Sequence, residues 1–107
     1  MHEIKESDWK TLRQLHAIAL ERFCQQILVE IEGIKTDSAQ SFHQKYLGIC
    51  EIIRQRDKEM ANTFDDLRRS TALTTIAALK ARGLLTEDEF SSFSQGTQDV
   101  VKLLLGS

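Results

Sequence analysis

The segment from Ser38 to Arg82 contains no proline and a single glycine, Gly48. Proline and glycine are the residues that most often punctuate a chain, so a stretch this long without them reads as helix. At 1.5 Å per residue a continuous helix here spans on the order of 65 Å, whereas a compact globule of this chain length is about 35 Å across. The fold class expected is therefore all-α: a long central helix over 38–82, continuous or kinked near 62–71, flanked by two antiparallel helices over about 8–32 and 87–105. All 107 residues form one domain.

The flanking segments carry their own signals. Ser7 precedes Asp8 and Trp9 as an N-cap with acid in the first turn. Trp9, Leu12, Leu15, Ala19, Phe23, Ile27, Ile31 and Ile34 then recur at helical steps, and Gly33 is the expected stop. Lys35, Thr36, Asp37 and Ser38 make a short hairpin turn, with Asp37 or Ser38 capping the next helix. Phe42, Tyr46, Ile49, Ile53, Met60, Phe64 and Leu67 form the first apolar face of the central segment. After Leu67 the apolar set resumes at Leu73, Ile76 and Leu79 about two residues out of phase, which turns the face of a straight helix by more than about 100°. The two halves are expected to serve different neighbours.

The most specific local signal is ALKARGLLTEDEF. Gly83 suits the left-handed position after a helix, Leu84 can fold back on Leu79, Thr86 and Glu89 form a capping box, and Leu85 can staple to Phe90. A tight corner between two helices follows. The longer stretch AALKARGLLTEDEFSSFSQGTQDVVKLL resembles the short C-terminal helical hairpin known as SHOCT, through Gly83, Leu84, Leu85, Thr86, Glu87, Glu89 and Phe90. Ser91, Ser92, Ser94 and Gly96 depart from the lysine-rich second helix usual in that family. The resemblance covers about 76–104 and implies a role in association rather than chemistry.

At 41% hydrophobic and 28% charged the chain has the make-up of a folded protein, and a formal charge of -2 exerts no general pull on nucleic acid or anionic lipid. The opening MHEIKESDWK lacks the basic and apolar blocks of a signal peptide, and no apolar run reaches a membrane span, so a cytoplasmic protein is expected. Cys24 and Cys50 lie in apolar helical runs and read as small core residues in a reducing compartment. A hairpin turning near residue 36 brings them within reach of each other, which leaves a redox pair open as a third class of function. Glu-x-x-His pairs, metal-ligand clusters and nucleophile frames are missing from the sequence, so no catalytic residue, metal or cofactor is expected.

Three residue sets remain. An elongated protomer with surplus apolar surface points to a homodimer, with Trp9, Phe64, Leu67, Leu73, Ile76, Val101 and Leu104 as the dimer or partner interface. Where the central apolar face is interrupted, Arg56 and Asp57 are expected to meet Arg13 and His16 in a polar layer that fixes register. Arg54, Arg56, Arg68 and Arg69 belong to a basic stripe that can track phosphates, although Glu51, Asp57, Glu59, Asp65 and Asp66 interleave with it as on a solvated, ion-paired face. The leading expectation is a non-enzymatic adaptor or regulatory module that binds proteins through a helix face. The alternative is a small nucleic-acid-associated protein.

Overall fold

The computed structural model describes residues 4–106. Its elements are α1 (Glu6–Lys35), α2 (Phe42–Phe64), a 3-10 turn (Arg69–Thr71), α3 (Ala72–Ala81), α4 (Glu87–Ser91) and α5 (Gln95–Leu104). The overall extents are 52 × 25 × 23 Å. The long dimension comes from α1, whose 30 residues span about 45 Å.

α1 begins one residue before Ser7, with Lys5 in extended conformation at its N-cap and Glu6 and Asp8 in its first turn. It also runs past Gly33, because Gly33 does not adopt the left-handed conformation that would end it; among the described residues only Gly83 and Gly106 have positive φ. Thr36 terminates the helix instead, its N–H and hydroxyl both donating to the Glu32 carbonyl, at 3.0 and 2.8 Å. The turn then extends to Ser41, where a capping box forms: the Gln44 N–H donates to Ser41 Oγ at 3.1 Å and the Ser41 N–H to Gln44 Oε1 at 2.8 Å. Asp37 accepts from the Ala39 N–H within the turn rather than capping α2.

The expected central rod is not formed. α2 stops at Phe64, the chain passes through an extended Arg68, and α3 returns so that Arg82 pairs with Glu59 at 3.2 Å. The break is held locally by Thr71, whose hydroxyl donates to the Asp66 carbonyl and accepts from the Arg68 N–H. It is held at longer range by Phe64, whose ring lies 5.6 Å from that of Phe23 and 5.2 Å from that of His16. The phase shift after Leu67 thus marks a chain reversal, not a rotation of one helix. α3 is enclosed by its neighbours, with Ala72, Thr75, Ile76, Ala77 and Leu79 all buried.

The corner after α3 forms as its residues dictate. Gly83 has φ +71°, the Leu84 N–H donates to the Leu79 carbonyl and the Gly83 N–H to that of Lys80, while Thr86 and Glu89 close their capping box. Leu79 and Leu84 are fully buried. The expected single helix over 87–105 is instead two. Ser94 is extended between α4 and α5, and Phe93 turns into the core.

The core is confined to one end. Leu12, Leu15, Ala19 and Phe23 of α1 meet Phe64, Ile76, Leu79, Leu84, Phe90 and Val101 in a head. From Cys24 to Asn62 no residue is buried. That span is a two-helix arm projecting from the head.

Candidate interaction surface

Two antiparallel helices share one seam, and any apolar residue off that seam faces solvent unless a third element covers it. In the arm the seam is defined by Glu30 with Arg56 and by Ile34, whose methyl carbons lie 3.5 and 3.9 Å from where a Gly48 Cβ would sit. Each α1 residue therefore meets a later residue of α2 than a turn centred at residue 36 allows, because the turn reaches Ser41. The consequence for the cysteines is direct. Cys24 shares a groove with Arg56 and Asp57, while the neighbourhood of Cys50 lies against the far end of α1, so the expected approach of the two thiols does not occur. Both remain free and half-buried.

One side of the arm holds a shallow apolar groove of about 270 Å³ lined by Cys24, Ile27, Leu28 and Ile31 of α1 and Ile53, Arg56 and Asp57 of α2. Further along α2 the same side continues through Ile49, Tyr46 and Phe42. Leu28 is 64% exposed, Phe42 88%, Tyr46 65% and Ile53 43%. Single exposed apolar residues are ordinary, but a contiguous set on one face marks a contact surface.

One residue that lines the groove, Arg56, also belongs to an ion-pair network along the seam. Arg56 makes a two-pronged contact with Glu30, at 2.9 and 3.0 Å, and also contacts Glu59, which in turn meets Arg82. The Arg56 contacts hold the carboxyls of Glu30 and Glu59 below their ordinary range and raise the guanidinium. A second clamp joins α1 to the corner of the head: Arg22 donates to Glu89 at 2.5 and 2.9 Å and to the Leu84 carbonyl at 2.9 Å. The Arg22 guanidinium, aided by the Thr86 N–H, holds Glu89 down to about 2.

The residues expected from sequence to form an interface lie elsewhere. Phe64, Ile76 and Val101 are buried in the chain's own core, and Trp9, Leu67 and Leu73 pack against it; only Leu104 is exposed, at 52%. The return of α3 onto α2 uses up this apolar surface within one protomer. The register layer does not assemble either. His16 Nε2 donates to the Phe64 carbonyl at 3.2 Å, Arg13 stacks over Trp9, Arg56 turns to the glutamates and Asp57 stands at the groove. The basic stripe is divided among separate elements, and each arginine meets a carboxylate: Arg54 with Glu51, Arg56 with Glu30, Arg68 with Asp66 and Arg69 with Glu6.

Compared with protein-family models, with curated proteins and with solved structures, the chain matches none. Its surface has to be read from its own geometry. Among the described residues no helix is long and apolar enough to cross a membrane, and no group of three or more His, Cys, Asp or Glu side chains is placed to hold a metal ion. The sequence names the apolar positions of the arm, and the expectation there is that helix one covers them by packing antiparallel on the first half of the central helix. The signal that would have corrected this is Ser41-x-x-Gln44, which sets the turn length and hence which faces of α1 and α2 remain open.

Proposed function

We propose that this protein is a non-enzymatic adaptor or regulatory module of the cytoplasm, and that its working surface is the open apolar face of the α1/α2 arm. One observation carries the reading. The chain invests 39 residues, Cys24 to Asn62, in an arm that buries none of them, while Leu28, Phe42, Tyr46 and Ile53 stand exposed along one side. Such a surface lowers its free energy by accepting apolar side chains from another helix, at roughly 25 cal/mol per Å² removed from water. The free thiols of Cys24 and Cys50 fit a reducing compartment. The resemblance of 76–104 to an association hairpin points the same way, although Leu84 and Phe90 of that stretch are already spent on the head's core.

The nucleic-acid alternative loses its premise, since Arg54, Arg56, Arg68 and Arg69 are each paired with a carboxylate. The test of the adaptor reading is affinity capture from the source cells, with the wild-type chain and the Leu28→Glu/Ile53→Glu variant run side by side. Proteins retained by the wild type should be lost with the variant, and purified candidates should bind only the wild type. Identical retention on both would refute the reading.

A further inference from the structure

The turn from α2 into α3 leaves more donors unpaired than its sequence requires. Among the described residues, the N–H groups of Asp66, Leu67, Arg69 and Ser70 donate to no group of the protein, and the buried Nε of Arg69 has no hydrogen-bond partner. A straight helix offers each of those N–H groups a carbonyl four residues earlier. Nothing in residues 65–71 forbids one. The segment contains neither glycine nor proline, and Asp65 stands four residues before Arg69, the favoured order for an ion pair along a helix.

Few contacts hold the turn itself. The Thr71 hydroxyl donates to the Asp66 carbonyl at 2.9 Å and accepts from the Arg68 N–H at 3.3 Å, while Arg69 reaches Glu6 at 2.7 Å and the Ile4 carbonyl at 2.9 Å. Beside it, a cleft of about 190 Å³ separates α2 from α3 and is lined largely by polar side chains, among them Asn62, Thr63, Thr74 and Thr75. The links that close the head run instead between α1 and the chain beyond the turn. Asp8 binds Ser94 and Thr97, Arg22 binds Glu89, and Leu12 and Ile76 share one core. None of these depends on which copy of the chain supplies the second partner.

We infer that residues 65–71 are a hinge: α2 and α3 join into one helix, and α3, α4 and α5 pass from their own α1 to that of a second copy. The occupant is fixed by the head itself. Opening bares Leu12, Leu15 and Ala19 of α1, and the surface that fits them is α3–α5 of this same sequence. A reciprocal exchange rebuilds two heads with the contacts of one chain. The straight helix has room for it. Ile76 follows Phe64 by twelve residues, about 120° around the axis, so the buried side of α3 turns away from the α1 that Phe64 touches. The α1/α2 seam is untouched, so the exchange is independent of the arm as a docking face.

Refolding from urea at micromolar and at millimolar concentration, followed by gel filtration, measures the exchange. A monomer is expected from the dilute sample and a dimer from the concentrated one. Thr71→Ala should raise the association constant roughly a hundredfold, about tenfold at each of the two hinges. Arg69→Ala and Arg69→Pro both lose the contact with Glu6, and only the ring distinguishes them. Arg68 already has the extended backbone that a residue before proline adopts, so the closed turn accepts the ring, whereas the interior of a straight helix does not. Arg69→Ala should raise the dimer, and Arg69→Pro should lower it at least a hundredfold.

Arg22→Glu and Glu89→Arg tell an exchanged dimer from any other. Each variant alone opposes like charges across the clamp. When the two exchange heads with each other, one head holds the original pair and the other the reversed pair. Co-refolding should therefore give the mixed dimer in at least roughly tenfold excess over either homodimer. A wild-type chain that refolds only as a monomer at millimolar concentration, with Thr71→Ala doing the same, overturns the proposal. So does a dimer that Arg69→Pro leaves unchanged, or a co-refolded mixture with no preference for the mixed dimer. Should either clamp variant lose its helical circular dichroism, the contrast between Arg69→Ala and Arg69→Pro decides.

Discussion

Asp8, in the first turn of α1, accepts hydrogen bonds from Ser94 through both the backbone N–H, at 2.8 Å, and the hydroxyl, at 2.6 Å, across a separation of 86 residues. Thr97 adds a third donor at 2.7 Å. Ser94 is the N-cap of α5 but makes no capping bond of its own, so the carboxylate that caps α5 comes from the other end of the chain. It also lies where the helix dipole favours negative charge. Burial of Asp8, at 2% exposure, pushes its carboxyl up, yet the donors of Ser94 and Thr97, with the charge of Lys5, bring it below its ordinary value.

Removing that carboxylate leaves three donors unsatisfied in a buried site. Asp8→Ala should therefore destabilise the protein by about 2–3 kcal/mol, and Asp8→Asn by about 1–2 kcal/mol, because the amide keeps one acceptor but presents donors to donors. Urea unfolding followed by circular dichroism measures both. Equal stability of Asp8→Ala and wild type would show that Asp8 does not hold α5.

Acid should unfold the head through Glu89. Its folded value of about 2 lies below its unfolded value of 4.5, so its contribution is fully present above pH 4.5 and is lost as the pH falls from there toward 2. For a pair only partly shielded from solvent this amounts to on the order of 1–2 kcal/mol. Asp8, lowered from 3.8, acts in the same direction. The melting temperature should fall with acid over that range, and Glu89→Gln should flatten the fall while lowering stability at neutral pH. A wild-type melting temperature indifferent to pH across the same range would contradict the Arg22–Glu89 clamp.

Two glycines should respond in opposite directions to alanine. Gly83 has φ +71° with open space around its Cα, so Gly83→Ala costs about 1 kcal/mol through backbone strain alone. Gly33 lies in the last turns of α1 with nothing within 4 Å of an added Cβ, and Gly33→Ala should stabilise the helix by about 0.5–1 kcal/mol. Thermal melts of the two variants give the comparison directly.

Leucines of the head and of its surface should differ just as sharply. Leu79 is fully buried where α3 meets the corner, whereas Leu103 on α5 is 76% exposed. Leu79→Ala should cost about 2–5 kcal/mol by opening a cavity, and Leu103→Ala should change stability by less than about 0.5 kcal/mol. Similar losses for both would mean that the core is not confined as the burial pattern indicates.

Taken alone, the sequence determined what depends on residues within four or five positions of one another. The all-helical class and the corner from Leu79 to Phe90 are of this kind: Gly83, Thr86 and Glu89 act on backbone groups in their own turns, and no distant residue is needed to position them. Tertiary structure decided the rest. Nothing local between Met60 and Ser70 is a strong breaker, and the chain reverses there because Phe64 finds Phe23 and His16 and because α3 can be enclosed between its neighbours. In the same way Asp8 reads as an ordinary first-turn acid until α5 arrives with its N-terminus bare. Burial is a property of pairs far apart in the chain, so the split of apolar residues between a closed head and an open arm became legible only once those pairs had met.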